Sequence, residues 1–211
     1  MSNHKNLLLL FADSVHWYEH TITLQPDETD GIDTFINAGD VNTNFGTDAD
    51  IYLGHYLAWG VMDRCLIKFD LTTLPADAVI TSATLSLYLT ANYGANAQTF
   101  NVYRLKRNWV ESEATWNIYS TGNSWIDAGG FNVLDCEQDL IGTKSIAAAA
   151  TLNEFNAFSL TPITKAALDL GYGWLIKSAE EDNGMHIFSS SSKLTEANRP
   201  KLVIEYKDHT P

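Results

Sequence analysis

The chain has 211 residues, with 26 Asp and Glu against 13 Lys and Arg, a formal net charge of -13. A surface so short of cations lacks the phosphate-neutralising contacts on which binding to nucleic acid or an anionic membrane rests, and neither is expected as a partner. At 45% hydrophobic and 18% charged residues, the composition excludes disorder and suits a domain with a full core.

The opening apolar run, Leu7 to Ala12, is closed by Asp13. It is far below the roughly 18 residues of a membrane span. The acidic and His-bearing residues that follow do not fit a secretory leader, so Met1 is expected to begin the working protein. Residues 1–28 differ in texture from the rest, carrying Leu9, Phe11, Trp17 and Tyr18 beside His16 and His20. They read as an extended N-terminal docking arm ahead of a domain over 29–211. Asp27, Asp30, Asp33, Asp40, Asp48 and Asp50 then crowd an Asn/Gly-rich stretch. Oxygen-bearing loops of this kind suit Ca²⁺, which makes Asp30, Asp33, Asp48 and Asp50 metal candidates. Their spacing is not that of an EF-hand, and Asp and Asn also form ordinary turns.

Cys65 to Leu71 alternates strictly, with Cys65, Ile67, Phe69 and Leu71 on one face and Lys68 and Asp70 on the other, the pattern of a half-buried strand. Cys65 is thereby expected as a core residue rather than a reactive thiol. Cys136 is the only other cysteine, so there is neither a disulfide framework nor CxxC spacing. A turn at Thr73–Asp77 leads to a second alternating run, Ala83–Thr90, with Leu85, Leu87 and Leu89 inside. Thr21–Leu24, Thr34–Asn37, Ile51–Leu53, Phe100–Leu105, Trp174–Ser178, His186–Ser189 and Leu202–Tyr206 also have strand character. Many short strands between polar turns predict an all-β fold, a β-sandwich. One short helix is expected from Thr161 to about Leu170, with Thr161 as cap, Pro162 in the first turn and Gly171 closing it. Ile146–Leu152 fits either a helical turn or a plain loop.

The sequence carries no recognisable catalytic constellation, so the chain is not expected to be an enzyme. Glu111 and Glu113 would share one face of a strand, which does not give the opposed carboxylates of a glycosidase; a solvated face or a structural hydrogen bond suits them better. Ser190–Lys193 matches SxxK without a helix to follow, and HExxH, GxSxG, P-loop and GxGxxG are missing. Trp59, Trp109, Trp116 and Trp125 lie near polar loops with Tyr52, Tyr56 and Tyr119, where ring faces can stack on sugars or be buried. Burial is expected for Trp109 and Trp116. Trp59 and Trp125, set among Gly, Ala, Ser and Asp, are expected at the surface, and with Tyr56 they are the glycan-binding candidates.

An ordered set of short motifs carries a family likeness: Asp33–Ile36, Asn44-Phe45-Gly46, Leu53-Gly54, Arg64 through Leu71, Ala83-Thr84-Leu85, Val102–Leu105, Trp109-Val110-Glu111, Thr115-Trp116-Asn117 and Arg199–Leu202. From about Asp33 to Tyr206 the chain resembles the DNRLRE domain, which is related to the family 96 carbohydrate-binding modules. The resemblance implies a non-catalytic jelly-roll sandwich, usually an accessory module of large secreted or surface proteins, with some members binding acidic polysaccharides. It also implies that Trp109, Glu111, Thr115 and Trp116 hold the sandwich together. The net charge opposes an acidic polysaccharide unless calcium bridges the two.

A jelly roll with no catalytic set and a distinctive arm is expected to be a phage virion surface protein, a decoration or fibre-like module. It would dock through residues 1–28 to other virion proteins or to copies of itself, and so be oligomeric or assembly-bound. The alternative is a carbohydrate-binding module that recognises a polysaccharide at or outside the cell surface. A polysaccharide lyase or hydrolase on the same scaffold is the third reading.

Overall fold

The computed structural model describes residues 16–27, 29, 31–161, 164–180 and 182–209. The strands are β1 (Tyr18–Leu24), β2 (Ile32–Asn37), β3 (Asp50–Tyr56), β4 (Val61–Lys68), β5 (Val79–Gly94), β6 (Gln98–Leu105), β7 (Ile118–Ser120), β8 (Asn123–Ser124), β9 (Cys136–Ile146), β10 (Glu154–Leu160), β11 (Trp174–Ser178), β12 (Gly184–Ser189) and β13 (Lys201–Asp208), with one helical turn, α1 (Lys165–Leu168). The expectation of an all-β sandwich holds.

The 16-residue strand β5 organises the sheet. Its first half pairs with β13 on one side, its middle with β10, and its last residues with β12, always antiparallel. The succession β5, β10, β9, β6, β11, β4, β3, β12 therefore returns to β5 and closes on itself. Closure satisfies backbone donors and acceptors that an open sheet would leave at its edges. β2 lies on β4, and β1 lies on β13.

Leu85, Leu87 and Leu89 face inward from β5 to meet Cys65 and Ile67 of β4 and Phe100 and Val102 of β6 in the main core. The other face of the same strands is covered as well. Ile36, Leu66, Tyr103, Leu105 and Leu175 pack under Trp109, Ala114 and Trp125 in a second core. The cover is the excursion over residues 106–135 between β6 and β9, which contains the small β7–β8 hairpin. β4 is thus buried on both faces. Burial pushes the Cys65 thiol well up, with Asp33 adding to it, and burial takes Cys136 up to about 11. Both are core residues.

Several local expectations are corrected. Residues 18–24 do not form a separate arm: β1 pairs with β13 along its whole length, Tyr18 against Asp208 through Leu24 against Leu202. Trp17 folds onto the same strand end, its ring 3.8 Å from that of His209. Leu9 and Phe11 lie outside the described residues. β4 ends at Lys68 rather than Leu71. The helix is one turn, capped by Thr164, whose hydroxyl oxygen accepts from the N–H of Ala167 at 3.1 Å. Thr161 donates its N–H and hydroxyl to the Ile141 carbonyl (2.8 and 3.1 Å), which ties it to the sheet. At the other end Asp169 Oδ1 accepts the N–H groups of Gly171, Tyr172 and Gly173; Pro162 is outside the described residues. β9 runs through Ile146, and the alanines after it form a turn closed by Ala150 N–H on the Ala147 carbonyl. That is the plain loop of the two alternatives.

Candidate functional site

The site grows from the β3–β4 hairpin. Its four-residue loop, Leu57–Gly60, turns because Gly60 adopts φ +65°, a left-handed conformation that costs glycine little. Trp59 and Gly60 both donate N–H groups to the Tyr56 carbonyl. A loop this short has no chain with which to cover its own ring, and Trp59 stands 56% exposed. Tyr56 from β3 and Tyr93 from β5 close around it. The Trp59 and Tyr56 rings lie 4.8 Å apart at 89°, and Tyr93 is 5.7 Å from Trp59 and 5.9 Å from Tyr56. Tyr93 is itself 41% exposed.

Beside this aromatic shelf runs an open groove of about 320 Å³. Trp59 and Val61 form one wall, Phe35, Phe45 and Tyr52 the inner end, and Asn37, Asp40, Asp48 and Asp63 the polar lining. The sheet register sets this up. Asn37, Asp63 and Gly54 stand side by side across β2, β4 and β3. Gly54 has φ +121°, and a Cβ there would collide with the Gly184 carbonyl, so no side chain can stand at that place in the row. Asn37 Oδ1 accepts the N–H groups of Gly39 and Asp40 at 2.7 Å each, and its amide group donates to Asp63 Oδ1 at 2.8 Å. One carboxamide thereby pins the 38–40 turn and sets Asp40 at the rim. The inner end is rigid, with Phe35 stacked on Phe45 at 4.2 Å and 5.1 Å from Tyr52.

The electrostatics of the groove are negative. Burial, followed by the Asp40 charge, pushes Asp63 up to about 7 against the pull of its Asn37 hydrogen bond. Asp48 is raised by burial and by Asp50. The Tyr52 phenol is raised by burial first, then by Asp50, Tyr93, Asp48 and Asp63. Asp63 also borders a small crevice with His55, Arg64, Lys177 and Glu180, which leaves Asp40 and Asp48 as the exposed carboxylates of the groove.

Of the glycan candidates, the structure brings Trp59 and Tyr56 together and removes Trp125. Trp125 is 4% exposed; its indole N–H donates to the Thr115 carbonyl at 3.0 Å, and its ring packs 5.3 Å from that of Tyr119. Trp109 and Trp116 also face inward, Trp109 donating to the Tyr172 carbonyl and Trp116 lying under the Arg64 guanidinium at 4.8 Å. Glu111 and Glu113 sit in a turn and accept the N–H groups of Asp33 and Thr121. Tyr93 is the functional residue that sequence reasoning missed. It lies near the end of β5, whose inward leucines dominate the pattern, and only the pairing of β5 with β12 and of β12 with β3 carries it to Tyr56.

The aspartates proposed for calcium converge on one turn, Ser190–Lys193, but engage protein donors there. Asp33 Oδ2 accepts Ser191 N–H at 2.9 Å, the Asp48 carbonyl accepts the Ser190 hydroxyl at 2.6 Å, and Asp50 pairs with Lys193 at 2.7 Å. Asp30 lies outside the described residues. Among the described residues no group of three or more His, Cys, Asp or Glu is placed to hold a metal ion.

A wider hollow of about 430 Å³ lies at the far side of β2, lined by Lys68, Asp70, Lys165 and Asp169. Lys165 donates to the Leu74 carbonyl at 2.9 Å, and no exposed aromatic ring borders it. It lacks the shelf that distinguishes the Trp59 groove.

Residues 20–118 match carbohydrate-binding module family 96. No curated protein matches the chain. The matched span includes every residue of the aromatic shelf and groove.

Proposed function

We propose that the chain is a carbohydrate-binding module of DNRLRE type that holds a polysaccharide along the Trp59 groove. The observation that carries this reading is the trio of exposed Trp59 and Tyr93 with half-buried Tyr56, beside a groove with hydrogen-bonding groups, all inside the segment that matches a carbohydrate-binding family. A pyranose ring has an apolar face of C–H groups that suits an indole and hydroxyl edges that suit carboxylates and carboxamides. An open groove with one exposed indole gives a modest affinity for a polysaccharide. The family match favours the carbohydrate-binding alternative over the virion surface part expected above, which nothing in the fold or the match supports.

The test is a panel of soluble polysaccharides followed by affinity electrophoresis and titration calorimetry. At least one polysaccharide is expected to retard the wild-type chain, and Trp59→Ala is expected to weaken that binding at least tenfold with an unchanged circular dichroism spectrum. Equal binding by Trp59→Ala would remove the groove from the reading. No binding across neutral, anionic and cationic polymers would remove the reading itself.

A further inference from the structure

The groove proposed above as the glycan site combines an aromatic shelf with an acidic lining. Asp40 and Asp48 are exposed on it, and among the described residues no Lys or Arg lines it. The cations nearby in sequence or space are engaged elsewhere. Lys193 is bound to Asp50, and Arg64, the neighbour of Asp63 in β4, donates to the Gly129 carbonyl at 2.7 Å and lies over Trp116 on the second-core side. A uronate polymer entering this groove would bring carboxylates against Asp40 and Asp48 with no protein cation to receive them. A neutral polymer would leave both carboxylates without a charged partner.

We propose that the groove recognises a polysaccharide with free amino groups, a polymer of de-N-acetylated hexosamine, with a sugar face on Trp59 and an ammonium group directed to Asp40 and Asp48. This rests on the glycan-binding reading and narrows it to a cationic ligand. The two halves of the site act on the same group. An ammonium is attracted by carboxylates and also by the negative face of an aromatic ring, and the Trp59 ring lines the groove with Asp40 and Asp48. The upward shift of the Tyr52 phenol, caused by burial and then by Asp50, Tyr93, Asp48 and Asp63, reports the negative field that an ammonium would meet inside. The placement is built in, because Asn37 holds the turn that carries Asp40.

Titration calorimetry of the full chain at pH 6 tests this with four probes of equal length: a β-1,4-glucosamine hexamer, its fully N-acetylated form, a neutral β-glucan hexamer and a uronate hexamer. The glucosamine hexamer is expected to bind at least tenfold more tightly than its N-acetylated form. That preference should shrink in high salt, as screening of a partly exposed charge contact requires. Asp40→Asn and Asp48→Asn should each reduce the preference several-fold, weakening the glucosamine hexamer more than its N-acetylated form. Glu205→Gln, an equal charge change at an exposed position on β13, should leave the preference intact. Equal losses from Glu205→Gln and Asp40→Asn would overturn the proposal, since the attraction would then belong to the net charge of -13. Equal affinity for the free and N-acetylated hexamers, or preference for the uronate with or without added Ca²⁺, would overturn the cationic ligand and leave the glycan-binding reading standing. No binding of any probe would overturn both.

Discussion

The hairpin tip that carries Trp59 and the excursion that carries Trp125 each set a tryptophan beside a tyrosine in a connecting segment, and they do opposite things with it. Residues 106–135 are long enough to return across the outer face of β2, β4, β11 and β6 and to lay Trp125 on a second core. There the indole finds a backbone carbonyl for its N–H and a glycine, Gly130, at which a Cβ would press on its ring at 3.2 Å. The four residues of the β3–β4 loop cannot fold back, and their tryptophan is left outside against Tyr56 and Tyr93. A long connection can hide an aromatic ring for stability, whereas a short one has to display it. The binding surface is found where the chain is too short to bury its own side chain.

The largest effects should separate these two rings by stability. Trp125→Ala removes a buried ring and leaves the Thr115 carbonyl without the indole N–H, and is expected to cost about 3–5 kcal/mol. Trp59→Ala removes a ring that is mostly in water and is expected to stay within about 0.5 kcal/mol of wild type. Urea denaturation of both variants measures the contrast. Equal losses would mean that the hairpin tip is structural and the comparison is false.

A second contrast pairs two buried carboxyls, one in each region. Asp33 lies near the excursion, its N–H on Glu111 and its Oδ2 on Ser191, while Asp63 lies under the groove. Burial raises Asp33 from 3.8 to about 7 against the hydrogen bonds of Ser191, with Glu111 adding to the rise. Asp63 reaches about 7 as well. Because both folded values lie above the unfolded one, the folded state holds protons that the unfolded state has released between about pH 4 and 7. Each carboxyl therefore contributes most to stability at low pH and loses that contribution as pH rises through the folded value. His186, whose ring is lowered by burial, acts in the opposite sense below its ordinary value. Comparing wild type with Asp33→Asn cancels such other groups. The stability of Asp33→Asn relative to wild type is expected to rise by about 2–4 kcal/mol from pH 4 to pH 7.5. A relative stability that stays flat or falls would show that Asp33 titrates normally.

The same two regions explain what was legible in the sequence. The strands of the main core were visible because Cys65–Phe69 and Leu85–Leu89 alternate with one face inside. β9 and β10 were not. In β9 the buried Ile141 and Ile146 lie five apart across an irregular pairing with β6, so period-two alternation fails. In β10 the inward series is Asn156, Phe158 and Leu160, and a polar residue opens it. Trp125 was read as exposed because its neighbours are small and polar, yet its burial comes from strands distant in sequence. The same rule succeeded for Trp59, because β3 and β4 extend beyond the expected Ile51–Leu53 and Cys65–Leu71 and leave it in a four-residue loop with no chain to cover it. Tyr93 was not legible, since it meets Trp59 only after β12 has been placed between β3 and β5.

The smallest predicted effect is the most specific to the shelf. Tyr93 lies 5.7 Å from Trp59 at a tilt of 46°, on the side opposite to the groove residues Val61 and Asp63, so it braces the indole instead of forming the groove wall. Removing the ring frees Trp59 to leave the orientation that a sugar face requires, at the cost of ordering it again on binding. Tyr93→Ala is therefore expected to weaken glycan binding by about two- to fivefold, mainly through faster dissociation. Tyr93→Phe keeps the brace and is expected to bind as wild type. Loss of binding in both variants would assign the phenol hydroxyl a direct contact with the sugar. Loss in neither would leave Trp59 held by Tyr56 alone and reduce the shelf from three rings to two.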